Sequence, residues 1–200
     1  MAVTAAARAQ RQRCTRQAWR TWTAGTAIAL LAACALAVEI DPVASQIGFT
    51  LHTRWGQALQ GSFPDARGTV DELPDGRHQV RLQLSTRTVE ILGHPSYTRL
   101  TRGSGFFDAE RFPRIDFVSD AYPSQLLRSG GELPGMLTIR DVRRREVFTI
   151  LPASCEHPAR ECDVIASGSI HRGDFGMDRW NFAVSDRVLF SLRVRVRGQG

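Results

Sequence analysis

Three kinds of residue in this chain have types and spacings that could do chemistry: a cysteine pair, a set of histidines and two pairs of acids. Cys155 and Cys162 enclose the segment 156–161. In an oxidising compartment such a pair closes a hairpin loop as a disulfide. A zinc site would recruit His157 as a third ligand, but no second cysteine pair completes it and Pro158 crowds the turn, so the spacing points to the disulfide. Asp108 with Glu110, and Asp174 with Asp178, could serve as general acid and base. Each pair sits among turn formers and arginines, where solvated ion pairing is the simpler role. His52, His78, His94, His157 and His171 show no helical i, i+4 pairing of the zinc-enzyme kind. His94 and His171 fit a pocket mouth or an ordinary strand end. Gly103, Ser104 and Gly105 lack the rest of a nucleophile elbow. No catalytic residue and no metal ligand is assigned.

The apolar inventory says more. The chain holds ten Phe and four Trp, and Phe49, Phe63, Phe106, Phe107, Phe117, Phe148, Phe175, Trp180, Phe182 and Phe190 are spread over most of its strand-like runs. Such residues fill an ordinary core or line a wall around an elongated apolar ligand, and both readings stay open at this level.

The elements that would position them read as strands. Ile47, Phe49 and Leu51 alternate with Gln46, Thr50 and His52. Val188, Phe190, Leu192, Val194 and Val196 alternate with Ser191, Arg193, Arg195 and Arg197. A period of two with one apolar face marks strands buried on one side. Turn signals separate about eight of them, over 45–54, 58–71, 77–88, 114–126, 131–140, 145–154, 163–171 and 187–197. That count and spacing indicate an all-β antiparallel barrel or sandwich in a single domain. One helical candidate, 94–103, lacks a long apolar stripe and is expected to cap an end of the sheet. The stretch 106–117, FFDAERFPRIDF, then leads twin aromatics through a polar turn and Pro113 into a strand.

The net charge of +6 is unevenly placed. Residues 1–37 carry five arginines and no acid, so without them 26 basic and 20 acidic residues become 21 and 20. Every basic side chain is arginine, which disfavours nucleic-acid binding through a selected phosphate patch. Residues 1–37 have the parts of a secretory signal: a basic start, an apolar run over 24–33, and small residues to Ala37. Cleavage there makes the protein periplasmic and leaves a domain of residues 38–200. Leu31, Ala32, Ala33 and Cys34 also match a lipobox, which would anchor the chain as a lipoprotein at Cys34.

Several of these residues, taken in order, resemble the YceI family of bacterial periplasmic proteins. They are Ile40, Asp41, Pro42 and Ser45 ahead of Ile47 and Phe49; Gly61, Phe63 and Gly68; the stretch 106–117; Gly135, Leu137, Thr138 and Ile139; and Ile170, Arg172, Asp174, Phe175, Gly176 and Met177. The resemblance implies an eight-stranded lipocalin-like barrel with a short helical segment near one end. It implies a polyisoprenoid or isoprenoid-quinone lipid in an apolar channel, and neither a catalytic set nor a cofactor beyond that lipid. On this reading Phe49, Leu82, Phe106, Phe117, Leu137, Ile139, Phe175, Trp180 and Phe190 line the channel, and 94–113 forms its lid. The expected partners are the lipid, a membrane donor or acceptor, and a second copy in a homodimer. The rival is a structural or interaction protein with a filled barrel core; a lipid-modifying enzyme comes third. One departure stands out. Where the family commonly has His and Gly, this chain has Arg140 and Asp141 followed by Arg143, Arg144 and Arg145, a run that suits a solvated loop or anionic headgroups.

Overall fold

Alternation of inward apolar and outward polar side chains produces eleven strand segments in one antiparallel sheet. The computed structural model describes residues 37–198, so the leader and the Cys34 lipobox lie outside the described residues. The strands are β1 (Ala37–Glu39), β2 (Gln46–Thr53), β3 (Ala58–Ser62), β4 (Ala66–Glu72), β5 (His78–Ser85), β6 (Glu90–Ile91), β7 (Arg114–Ser119), β8 (Gly131–Ile139), β9 (Val142–Ile150), β10 (Val164–His171) and β11 (Val184–Val194). Two short helices, α1 (Pro95–Arg102) and α2 (Gln125–Ser129), interrupt them.

The segments make eight staves. β1 and β2 form one stave bent at 42–45, and β3 and β4 form another bent at 63–65. Pro42 and Pro64 sit in those bends, where their missing N–H groups cannot serve a ladder. β2 pairs with β3, Phe49 opposite Gly61, while β1 pairs with β4, Val38 opposite Val70. β11 borders the whole first stave. Phe190 lies opposite Phe49, the Asp41 N–H donates to the Arg195 carbonyl at 2.8 Å, and the Arg197 N–H donates to the Glu39 carbonyl at 2.8 Å. The last stave thereby meets the first and the all-β barrel closes. β6 is an extra edge on β3, with Gly61 opposite Ile91.

Sequence and structure differ at several boundaries. The strand expected over 58–71 is broken by its bend. The one expected over 114–126 stops at Ser119, and Pro123 leads instead into α2, which is too short to show a helical period. The strand expected over 145–154 starts at Val142, because the preceding turn uses only two residues. Arg140 and Asp141 both adopt left-handed backbone, with φ of 52° and 63°, the pattern of a type I′ hairpin. The Arg143 to Arg145 run therefore lies in β9 rather than in a loop. Arg144 pairs with Asp174 at 3.6 Å and Arg145 with Asp120. At Asp141 the exposed carboxylate does nothing to offset the left-handed φ, so Asp141→Gly is expected to raise unfolding stability by about 0.5–1 kcal/mol. Urea unfolding followed by circular dichroism measures this; an unchanged or lower midpoint argues against backbone strain there.

Two glycines explain how aromatic rings fit along the inner wall. A Cβ on Gly61 would lie 2.2 Å from Phe49 Cζ, and one on Gly135 would lie 2.5 Å from Phe117 Cζ. In each case the far end of the ring occupies the space that a Cβ would take, which only glycine permits.

Cys155 and Cys162 form the expected disulfide. It closes a loop whose Ala159 carbonyl accepts from the Val196 N–H at 2.9 Å, fastening the loop to the end of the last stave. With the two cysteines seven positions apart, the loop-closure relation gives a stabilisation of about 2.5 kcal/mol. Adding a dithiol reductant should lower the thermal midpoint accordingly, and an unchanged midpoint with verified reduction would show that the loop is held by other contacts.

Candidate functional site: an apolar cavity inside the barrel

Inward side chains from most staves meet in the barrel but do not fill it. They leave a cavity of about 100 Å³. Leu82, Phe117, Leu137, Phe148, Ala166 and Phe190 are among the residues of its wall. It extends toward the end formed by α2 and the disulfide loop, where Leu127, Ala159 and Val196 contribute. Tyr122 is the one lining residue with a polar side-chain atom. Burial pushes its phenol up to about 12, so it stays neutral at ordinary pH. A wall without charge suits hydrocarbon, for which each buried methylene contributes about 0.8 kcal/mol.

The other end is stoppered by aromatics. Phe49 lies 5.4 Å from Phe63 and 6.2 Å from Phe190, Phe63 lies 5.9 Å from Phe107, and Phe148 lies 5.0 Å from Phe117 and 6.4 Å from Phe190. Offset and edge contacts at these separations hold a cluster rigid. Beyond the stopper lies a pocket of about 20 Å³, lined in part by Phe49, Thr101, Phe106, Phe107, Arg172 and Met177.

Arg172 is the largest fully buried side chain, 1% exposed. A 3-10 turn, Arg172–Phe175, turns it inward from the end of β10. Its Nε donates to the Ser185 carbonyl at 3.0 Å, Nη1 donates to the Met177 carbonyl, and Nη2 donates to Asn181 Oδ1 at 2.9 Å and to the Val184 carbonyl at 3.4 Å. The Phe106 ring lies under the guanidinium, 5.0 Å from centroid to Cζ. Burial pushes the Arg172 pKa down, against the pull of Asp186 and Asp178; a guanidinium remains charged all the same. Among the described residues no carboxylate reaches it, so carbonyl dipoles and an aromatic face balance the charge.

The residues expected to line the channel separate into groups. Leu82, Phe117, Leu137 and Phe190 border the cavity, while Phe49 and Phe106 border the small pocket, which Phe190 also touches. Ile139 and Phe175 are fully buried and border neither. Trp180 borders neither space: it is half-buried and packs against the edge of the core, where a Cβ on Gly105 would meet its Nε1 at 2.5 Å. The 94–113 segment covers the Arg172 end, opposite the end toward which the cavity extends. Among the wall residues that sequence reasoning missed are Tyr122, Leu127, Ala159 and Ala166. Of these four, Ala166 carried a signal: a small residue at an inward strand position leaves room in front of it.

Some of the polar candidates have charged or hydrogen-bonding partners. Asp108 meets Arg111 at 3.5 Å and Asp174 meets Arg144 at 3.6 Å, while a ring nitrogen of His157 lies 2.7 Å from Glu161 and one of His171 lies 2.9 Å from Asp186. His94 stacks on Tyr97 at 5.2 Å.

A closed antiparallel barrel with an uncharged interior cavity places the molecule among lipocalin-like barrels. More narrowly, the chain belongs to the YceI-like domain family, which matches residues 39–196. Among solved structures it is similar to BcnA of Burkholderia cenocepacia, at 20% identity and a TM-score of 0.63, over 80% of this chain and 99% of that one. It is similar also to a polyisoprenoid-binding domain from Saccharophagus degradans implicated in plant cell wall breakdown, at 10% identity and a TM-score of 0.62, over 80% and 98% of the two chains. A YceI protein of Campylobacter jejuni shares 17% identity at a TM-score of 0.55, over 70% and 85%. These likenesses establish the fold. No curated protein sequence matches the chain.

Proposed function

We propose that this protein is a non-enzymatic carrier that holds a polyisoprenoid or isoprenoid-quinone lipid in its barrel. The observation that carries the reading is the cavity wall, continuous in apolar side chains and interrupted by a single neutral phenol, Tyr122. A prenyl chain needs no hydrogen-bond code to be retained there, only the removal of its methylene and methyl groups from water. Family membership and the polyisoprenoid-binding relative from Saccharophagus degradans support the same ligand class. Export to the periplasm belongs to this proposal. It is supported by the signal-like composition of residues 1–37 and by the Cys155–Cys162 disulfide, a bond that persists in oxidising compartments.

Mass spectrometry of an organic extract of the purified protein tests the proposal. A prenyl lipid in stoichiometric amount is the expected result. Repeatedly empty extracts, from protein that also fails to take up an added prenyl quinone, would overturn it in favour of an interaction protein with a filled core.

A further inference from the structure

The end of the barrel next to α1 carries two large aromatic side chains that the core does not use. Trp55 is 72% exposed and Phe182 is 73% exposed. They project from adjacent turns. Thr53 lies opposite Val184 in the β2/β11 ladder, the Arg54 N–H donates to the Ala183 carbonyl at 2.9 Å, and Arg54 Nε donates to the Asn181 carbonyl at 3.0 Å. Trp55 is held in a tight turn, with Gly56 at a φ of 88° and its N–H bonded to the Thr53 carbonyl at 3.0 Å. Trp180 packs against Phe182 at 5.8 Å and rests on Gly105. The tip is therefore a braced aromatic projection rather than a loose loop.

We propose that this tip docks on an anionic lipid bilayer, with Trp55 and Phe182 entering the interfacial layer and Arg54 and Arg179 meeting the headgroups. Trp and Phe beside arginines are the composition of interfacial anchors. Among the described residues neither Arg54 nor Arg179 has a carboxylate within 4.0 Å, and Asp178 is the one acid in the two turns. The uncompensated charge therefore complements a negative surface. A patch of two exposed aromatic side chains also fits a soft medium better than a folded partner, which needs a broad matching face. The assignment goes beyond the cavity's ligand and holds whichever lipid, if any, occupies the barrel.

Flotation with vesicles tests it, using residues 34–200, the compact unit that contains every strand, with Cys34→Ser to remove any lipid at that position. Vesicles of phosphatidylcholine and phosphatidylglycerol, free of isoprenoids, should bind this chain, and purely zwitterionic vesicles should bind it less. Trp55→Ser with Phe182→Ser should weaken binding by about tenfold or more, and Arg54→Gln with Arg179→Gln should remove most of its salt dependence. Unchanged thermal midpoints keep the comparison valid for these exposed positions; if the double serine variant is destabilised, Phe182→Ser alone carries the test. No vesicle binding by the unsubstituted chain, or equal binding by the serine variant, overturns the proposal. So does analytical ultracentrifugation showing that the serine substitutions dissolve a dimer without changing flotation. Because the vesicles carry no isoprenoid, an empty barrel and a failed docking surface give separate results.

Discussion

Arg172→Met is expected to destabilise the barrel by about 3–5 kcal/mol, against a total of about 5–15 kcal/mol for a domain of this kind. A buried ion pair can often be replaced by apolar side chains with little loss, because both charged partners are removed together. That escape is closed here. The acceptors facing Arg172 are the backbone carbonyls of Met177, Val184 and Ser185 and the side-chain oxygen of Asn181. Substitution of the arginine leaves the three carbonyls without this donor, and no second side-chain change removes them, whereas Asn181 is exposed and its amide can turn to water. Methionine keeps most of the length and fills most of the space, so a loss of this size measures stranded acceptors and not a void. Arg172→Lys should recover part of it, since one ammonium can serve some of these oxygens but not their forked arrangement. Urea unfolding of the three proteins checks the order. A methionine variant as stable as the parent would show that the carbonyls find water or one another, and that Arg172 is dispensable to the fold.

The second large effect is on the ligand. Ala166→Phe is expected to reduce retained or added prenyl lipid by about tenfold or more while the barrel stays folded. Ala166 lies in β10, opposite Ile150 on one side and Leu192 on the other, and faces the cavity. A phenyl ring at this position projects into the cavity that Ala166 borders, so it competes with the lipid for that space. Overpacking a filled core costs about 1–3 kcal/mol; filling an existing cavity avoids most of that. The two readings of the barrel therefore diverge. If the cavity holds lipid, the variant loses lipid and keeps its thermal midpoint. A folded variant that retains lipid would move the binding site elsewhere, and a strongly destabilised one would show that the space is not there to be filled.

Alternation made the staves legible because it reports which side chains face inward, and β11 shows it from Val188 to Val194. It could not report which inward side chains touch each other across the barrel and which leave a gap. Leu137 and Ile139 read identically in sequence, yet Leu137 borders the cavity and Ile139 is packed away from it. That difference depends on the twist and closure of the ring, to which no local pattern refers. The same holds for the lid. The aromatic stretch 106–117 places Phe106 and Phe107 at the Arg172 end, but the cavity runs to the opposite end, where α2 and the disulfide loop carry little periodic signal. Turn chemistry was only half legible: the strand expected over 58–71 runs through Pro64, where the stave bends, and the turn before β9 uses two consecutive left-handed residues, Arg140 and Asp141, against the usual preference for glycine. Arg172 was visible as one member of a family pattern. Its burial was not, since arginine is almost never fully buried unless paired.

The bonds that join the first stave to the last set the order in which the molecule can assemble. Glu39 and Arg197 meet across 158 positions of chain, through an ion pair as well as the backbone. Contacts of such separation form late, after the loop between them has been closed. A chain emerging from its N-terminus cannot make the ring until β11 and residues 195–197 are free to pair. Until then the first stave presents a bare strand edge, open to pairing with other chains. Truncation after Val194 would leave β11 and its ladder to β2 in place but remove the bonds of residues 195–197 to Glu39 and Asp41, opening the seam at the β1 end.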